Sequence, residues 1–98
     1  MKSIKLKRVD MVTSTGVQVL DYKTQFIAFL EFVPDGATVN ELASLVSVAN
    51  KLKRADDQIE LDSQEWSTLK ARVEATRFTV VTQDVIDMVS AVTNAPEV

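Results

Sequence analysis

The chain contains neither histidine nor cysteine among its 98 residues. Histidine is the side chain that exchanges protons most readily near neutral pH, and cysteine supplies the thiolate for nucleophilic attack and soft-metal binding. Their absence excludes imidazole-based catalysis, disulfide bonds and thiolate metal sites. Because the chain uses no disulfides, we expect it to occupy a reducing compartment, the cytoplasm.

Glycine, proline and long apolar runs are also scarce. The chain has two glycines and two prolines, and its 46% hydrophobic and 26% charged residues match an ordinary soluble domain rather than a disordered or fibrous one. No segment approaches the roughly 18 apolar residues that a membrane span needs, and no signal-peptide-like stretch follows the N-terminal lysines. We therefore expect one compact domain over residues 1–98, with no membrane partner.

The N-terminal region, residues 3–20, has the pattern of two short strands. Residues 3–12 alternate apolar and basic side chains before a run of valine and methionine, which is typical of a half-buried strand. The hydroxyl residues and the glycine of segment 13–16 predict a turn. Residues 17–20 then return as a second strand.

Residues 21–33 admit two interpretations. As a helix, the segment has Asp21 as its N-cap, and Tyr22 and Phe26 begin an apolar stripe at helical spacing. As a strand, its high aromatic content would suit a sheet. We favour the helix, and the strand stays open. Residues 34–36, with a proline and a glycine, end the segment in either case.

Local capping patterns mark the starts of three further helices. Two of these starts have the spacing of a capping box, and the third has a threonine followed by aspartates near the positive helix end. The predicted helices begin at Thr38, Asp62 and Thr82 and end near Ala55, near Thr76 and before Pro96, respectively. The predicted inward face of the first is Leu42, Leu45, Val46, Ala49 and Leu52, and that of the last is Val85, Ile86, Val89 and Val92.

The predicted architecture is α+β. Residues 58–61 have the pattern of a short strand that pairs with the first strand. Three to four helices would then pack on a small two- to three-stranded antiparallel sheet. The helical body spans residues 21–95, and the tail, residues 96–98, is expected to fray.

Several stretches of the sequence carry a family resemblance. They are Val19-Leu20-Asp21-Tyr22-Lys23, a helix ending in basic residues, Ile59-Glu60-Leu61-Asp62 followed by Trp66, Leu69, Lys70, Val73 and Glu74, and Phe78-Thr79-Val80-Val81. Together they resemble small accessory proteins of tailed bacteriophages and prophages, over nearly the whole chain. The resemblance implies a phage origin and an accessory role in assembly or in handling host factors. Its motifs are structural, so it assigns no site residues.

The polar residues form no catalytic or metal-binding motif. A serine or threonine nucleophile would need a lysine as its base, and no serine stands in a glycine-rich elbow. The acids of segment 56–62 resemble the start of a calcium loop. However, Leu61 holds the sixth position, where glycine is needed, and Ser67 holds the twelfth, where a bidentate glutamate is needed. We therefore predict a non-enzyme with no catalytic residue, metal site or cofactor.

Nucleic-acid binding is the second hypothesis. If two helices pack side by side, their basic residues could form one face. However, the helix dipole also favours lysine and arginine at helix C-termini, so such residues do not by themselves indicate nucleic-acid binding. The chain has a net charge of −3, which makes nucleic acid the less favoured partner. The residues of this alternative are Lys51, Lys53, Arg54, Lys70, Arg72 and Arg77.

A protein-binding surface is the first hypothesis. The segment 21–33 holds more large apolar residues than one helix face can bury, and Phe32 lies off the main stripe. A residual apolar patch would mark an interface, although the other elements could also cover it. We expect an oligomeric interaction protein that binds itself and another phage or host protein. The predicted partner-binding residues are Tyr22, Phe26, Phe29, Phe32 and Trp66.

Overall fold

The computed structural model describes residues 1–98 and confirms the α+β class, with four helices and two antiparallel strand pairs. In chain order the elements are β1 (Lys2–Lys5), β2 (Arg8–Thr13), β3 (Gly16–Asp21), α1 (Tyr22–Glu31), α2 (Val39–Arg54), β4 (Gln58–Leu61), α3 (Ser63–Ala75) and α4 (Gln83–Thr93).

The strand predicted over residues 3–12 divides between two separate sheets. β1 pairs antiparallel with β4, as expected, whereas β2 pairs with β3 across the predicted turn. The break falls at Leu6 and Lys7, whose backbone groups are used elsewhere. The Leu6 amide donates to the Asp57 carbonyl at 2.8 Å, and the Lys7 carbonyl accepts from the Tyr22 amide at 2.9 Å. A periodic pattern does not reveal such a change of partner.

The β2–β3 hairpin has one buried and one exposed face. Met11 and Leu20 are buried, whereas Val12 and Val17, which lie opposite each other in the pairing, are exposed on the other face. Residues on alternate positions of a strand point to opposite faces, so the hairpin covers the core with one face only.

The helix favoured for segment 21–33 forms over Tyr22–Glu31, with Asp21 as its N-cap and Phe32 as its C-cap, and the predicted caps position the helix starts. The Asp21 carboxylate accepts from the Lys23 amide at 3.1 Å, and the Thr38 hydroxyl accepts from the Glu41 amide at 3.2 Å. At α3 the capping box is complete, because the Asp62 and Glu65 side chains each accept from the other residue's amide, whereas α2 has only the Thr38 half.

One core of twenty buried residues joins all the elements. Two predicted helix faces need correction. On α2, Leu42 and Val46 are exposed and Val48 is buried; on α4, Ile86 is exposed and Met88 is buried. The reason is the position of the neighbouring elements. The apolar residues of each helix point in more directions than one buried face can take up. On α2, the contacts with α1 and α3 bury only some of these residues.

The chain end, expected to fray, is instead paired with β1. The Ser3 amide donates to the Pro96 carbonyl at 3.0 Å, and the Val98 amide donates to the Met1 carbonyl at 2.7 Å. Ala95 is buried in the core and holds the last residues against the strand. β1 thus lies between β4 and the chain end.

Candidate interaction surfaces

Three of the five predicted partner-binding residues belong to the core. Tyr22, Phe26 and Phe29 are buried on the inner face of α1, where neighbouring ring centroids lie 5.9 and 6.4 Å apart. Phe29 also meets Phe78 edge-on at 5.6 Å. In this structure these rings cannot contact a partner, which corrects the expected composition of the surface. Their spacing predicted the helix, and of the two alternatives left open for its apolar residues, the structure shows these three rings covered by the other elements.

Phe32, which lies off the helical stripe, is the exposed member of the aromatic segment. It is the C-cap of α1, where the backbone leaves the helix in an extended conformation, and its amide donates to the Ala28 carbonyl at 2.9 Å. Because the helix ends here, the side chain turns away from the core and is 71% exposed. A large apolar side chain at this exposure is the strongest single candidate for an interface residue.

A groove of about 700 Å³ lies beside Phe32, between the end of α1 and the end of α3; we call it the Phe32 groove. Its apolar lining includes Ala28, Pro34 and Ala75, and its charged residues are Asp35, Arg72 and Arg77. Two arginines against one aspartate give the groove a net positive charge.

Arg72 has a structural task at the Phe32 groove that sequence reasoning did not foresee. Its Nε donates to the Phe29 carbonyl at 3.2 Å and its Nη2 donates to the Phe32 carbonyl at 3.3 Å. The last turn of α1 contains no basic residue of its own, so α3 supplies the cation for the α1 C-terminus. The arginine thereby fixes the helix end that presents Phe32. Only tertiary structure brings residues 40 positions apart together, so no local signal could have indicated this contact.

A second apolar groove, of about 410 Å³, runs along α2; we call it the α2 groove. Leu42 and Val46 lie on its wall and are 54% and 48% exposed, and Val39, at the same helical spacing, is 82% exposed. Leu30, near the end of α1, and Val33, two residues beyond that end, form the opposite side. The sequence held a signal for this surface, since α2 has more apolar residues than one face can bury.

Trp66, the last predicted partner-binding residue, is half-buried and occupied by contacts within the chain. Its indole Nε1 donates to the Val92 carbonyl at 2.8 Å. The ammonium groups of Lys2 and Lys70 each lie 4.8 Å from the ring centroid, at cation–π distance. The structure therefore gives Trp66 a role in joining α3 to α4 and β1.

The basic residues of the nucleic-acid hypothesis are largely engaged within the chain. Lys51 pairs with Glu65 at 3.0 Å, and Lys53 pairs with Glu31 at 2.9 Å. Lys70 and Arg72, two residues apart on α3, serve different neighbours: Lys70 faces Trp66, whereas Arg72 caps α1. The Arg54 Nε donates to the Asn50 carbonyl of the same helix at 3.3 Å, and Arg77 lines the Phe32 groove. Nucleic-acid binding stays a prediction that the structure leaves without a specific supporting contact.

A third groove, of about 390 Å³ between β1 and α4, is polar. Lys5 and Lys7 line one side, and Asp84 and Asp87 line the other. Burial raises the pKa of the Tyr22 phenol, and the negative charges of Asp87 and Asp84 raise it further. The four charged residues form no ion pair with one another.

No group of three or more aspartates or glutamates is placed to hold a metal ion. No helix has both the length and the apolar character needed to cross a bilayer. Comparisons with protein-family models, curated protein sequences and solved structures find no match to this chain.

Proposed function

We propose that the chain is a non-enzymatic protein-interaction protein that binds another protein through the Phe32 groove. The observation that carries the proposal is the 71% exposure of Phe32 on the lining of a groove that it shares with Ala28, Pro34 and Ala75. Exposed aromatic side chains next to a pocket are typical of interface anchors.

The charges of the groove indicate the chemistry of the partner. Arg72 and Arg77 outnumber Asp35, and the Arg77 side chain makes no ion pair within the chain. Arginine favours carboxylates, with which it forms bidentate hydrogen bonds. The proposed partner segment therefore combines an apolar anchor, which packs beside Phe32, with an acidic residue that reaches Arg77.

Under this proposal the role of the binding is one of the two that the sequence resemblance to phage accessory proteins implies. The partner would be another phage protein if the chain is an assembly factor, and a host protein if the chain is an inhibitor that sequesters it. In both cases binding, rather than turnover, is the mechanism, and the host cytoplasm is the proposed location.

A displayed library of random peptides tests the proposal whatever the identity of the partner. We expect selection on the immobilised protein to enrich peptides with an aromatic or aliphatic anchor beside a carboxylate. Phe32→Asp should weaken their binding at least tenfold, since it places a charge at the apolar contact. Arg77→Glu should remove the preference for acidic peptides.

Val12→Asp is the matched control, because it adds the same charge at an exposed valine on the β2–β3 hairpin. Peptides that bind the Phe32→Asp variant as well as the unaltered protein would contradict the proposal. A selection that enriches no sequence at all would contradict it as well.

A further inference from the structure

We infer that the α2 groove is the self-association face of this protein, and that its occupant is the α2 groove of a second copy related by a two-fold axis. The inference rests on the proposed role as a protein-interaction protein, but it uses a different surface. The Phe32 groove remains for the heterologous partner.

The first argument is the spacing of the exposed apolar residues. Val39, Leu42 and Val46 are separated by three and four positions, which is the repeat by which two helices pack along a seam. Ala43 and Ser47 flank this stripe and are small enough for another helix to approach closely. A helix of 16 residues is about 24 Å long, sufficient for an antiparallel helix pair.

The second argument is charge. A two-fold interface brings identical surfaces together, so a face with net charge of one sign repels its own copy. The charged residues that line the α2 groove are Glu31 and Lys53, which pair with each other at 2.9 Å. This face is neutral, although the chain has a net charge of −3. When two such faces meet, each Glu31–Lys53 pair can join its copy in a balanced four-charge network.

The same reasoning excludes the other apolar surfaces as self-association faces. The Phe32 groove holds Arg72 and Arg77 against Asp35, so two copies would place like charges together. The exposed face of the β2–β3 hairpin holds Arg8 against Asp10 and Asp21, which leaves an excess of negative charge.

The size of a stable interface sets how much surface a second copy must cover. A stable interface buries about 800 Å² on each partner, about an eighth of the 6241 Å² of accessible surface of this chain. The exposed side of the 16-residue helix α2, together with Val33 and the Glu31–Lys53 pair, supplies the surface for this contact.

Sedimentation equilibrium of the full chain tests the inference. We expect a dimer of twice 10.9 kDa, and Leu42→Asp should raise its dissociation constant at least a hundredfold. Val12→Asp and Phe32→Asp should leave the dimer unchanged. Circular dichroism verifies that each variant is folded, which is expected because all three side chains are more than half exposed.

Charge-reversed variants give the sharper test. Glu31→Lys makes the face positive and Lys53→Glu makes it negative, so each variant alone should dissociate about tenfold more readily at low salt. An equimolar mixture should regain the affinity of the unaltered protein, because each positive face then meets a negative one. Loss of the internal ion pair cannot produce this rescue, since it is the same in the mixture as in the separate variants.

Several results would overturn the inference: a monomer at the highest concentration, a dimer that persists in Leu42→Asp, or a dimer lost in Val12→Asp or Phe32→Asp. Absence of rescue in the mixture would overturn the proposed pairing of Glu31 and Lys53. These results are separate from the peptide selection. A dimer with no peptide binding at Phe32 would refute the proposed function alone, and a monomer that binds peptides would refute this inference alone.

Discussion

At the scale of single residues, Tyr22 shows how burial and nearby charge act on one group. Its ring packs on Phe26, and it lines the polar groove together with Asp84 and Asp87. Burial and these two carboxylates disfavour the phenolate and raise the pKa above its ordinary value of 10.0.

This shift predicts a loss of stability in alkali. Above pH 10.0 the unfolded chain releases the phenol proton while the folded chain retains it, so the free energy of unfolding falls as pH rises until the folded pKa is passed. Tyr22→Phe should flatten this part of the pH profile. Since Tyr22 is the sole tyrosine, ultraviolet absorbance of the phenolate measures the titration directly. Asp84→Asn with Asp87→Asn should lower the measured pKa, and an unchanged value would show that the two charges have no influence.

The two glycines have different backbone requirements. Gly16, in the β2–β3 turn, has φ of +126°, and Gly36, after α1, has φ of +80°. No heavy atom lies within 4 Å of a Cβ added at either position, so the cost of substitution comes from the backbone alone. The conformation of Gly36 is close to the left-handed region that asparagine tolerates, whereas that of Gly16 is not.

We therefore expect Gly16→Asn to destabilise the fold by about 1–3 kcal/mol and Gly36→Asn by less than about 1 kcal/mol. Urea unfolding of both variants measures the difference. Equal costs at the two positions would contradict the strain argument.

At the scale of elements, the helix caps differ in completeness. Asp62 is a charged cap: its carboxylate accepts from the Glu65 amide, and the Glu65 carboxylate accepts from the Asp62 amide. Thr38 is a neutral cap, and only the first of these two hydrogen bonds is present there, from the Glu41 amide to the Thr38 hydroxyl. A carboxylate at a helix N-terminus also interacts favourably with the helix dipole.

Replacing each cap with alanine should show that Asp62 stabilises the fold more than Thr38 does. We expect Asp62→Ala to cost about 1–2 kcal/mol and Thr38→Ala about 0.5–1 kcal/mol in the free energy of unfolding. Chemical denaturation measures both, with Ser63→Ala as a control at an exposed position next to the cap. A larger cost at Thr38 would contradict the ranking.

The caps also explain how much of the fold could be predicted from the sequence. Helix starts depend on a few adjacent residues, and Asp21, Thr38, Asp62 and Thr82 each identified one correctly. Which side of a helix is buried depends on its neighbours, and sequence periodicity alone does not contain that information. The break between β1 and β2 was missed for the same reason, since both of its backbone partners are distant in sequence.

The candidate surface was predicted only in part. The place of Phe32 off the helical stripe made it a candidate for exposure, the sequence left open whether other elements cover it, and in the structure it is exposed. The burial of Tyr22, Phe26 and Phe29 could not be predicted, because it depends on which elements cover α1. Arg72 was assigned to nucleic acid from its charge, whereas its observed hydrogen bonds are to the end of α1.

At the scale of the whole molecule, the two chain ends are joined. The Glu97 carboxylate lies 3.2 Å from the N-terminal amine and 3.4 Å from the Lys2 ammonium. Hydrogen bonds from these two cations lower the pKa of Glu97 below its ordinary value of 4.5. The contribution of this group to stability is therefore present above pH 4.5 and is lost as pH falls through the folded pKa.

The pairing of the chain ends should weaken in acid. Near neutral pH, the Ser3 and Val98 amides should exchange hydrogen more slowly than in a Glu97→Gln variant, and this difference should vanish at low pH. Amide exchange followed by NMR measures the effect. Glu60→Gln, at an exposed position of β4, is the control. Equal exchange in Glu97→Gln and the unaltered chain near neutral pH would show that the ion pairs do not hold the end in place.

Self-association through the α2 groove would also change the stability of the molecule as a whole. If folding and pairing are linked, mass action stabilises the dimer by about 1.4 kcal/mol for each tenfold increase in concentration. For a chain of 98 residues this corresponds to a rise in the unfolding temperature of about 3 °C per tenfold. Calorimetry over a hundredfold range of concentration measures it. Leu42→Asp should unfold at one temperature throughout, and Val12→Asp should retain the dependence, because Val12 lies on the hairpin rather than in the groove. A temperature independent of concentration in the unaltered protein would show that the fold is complete in a single chain and does not depend on a second copy.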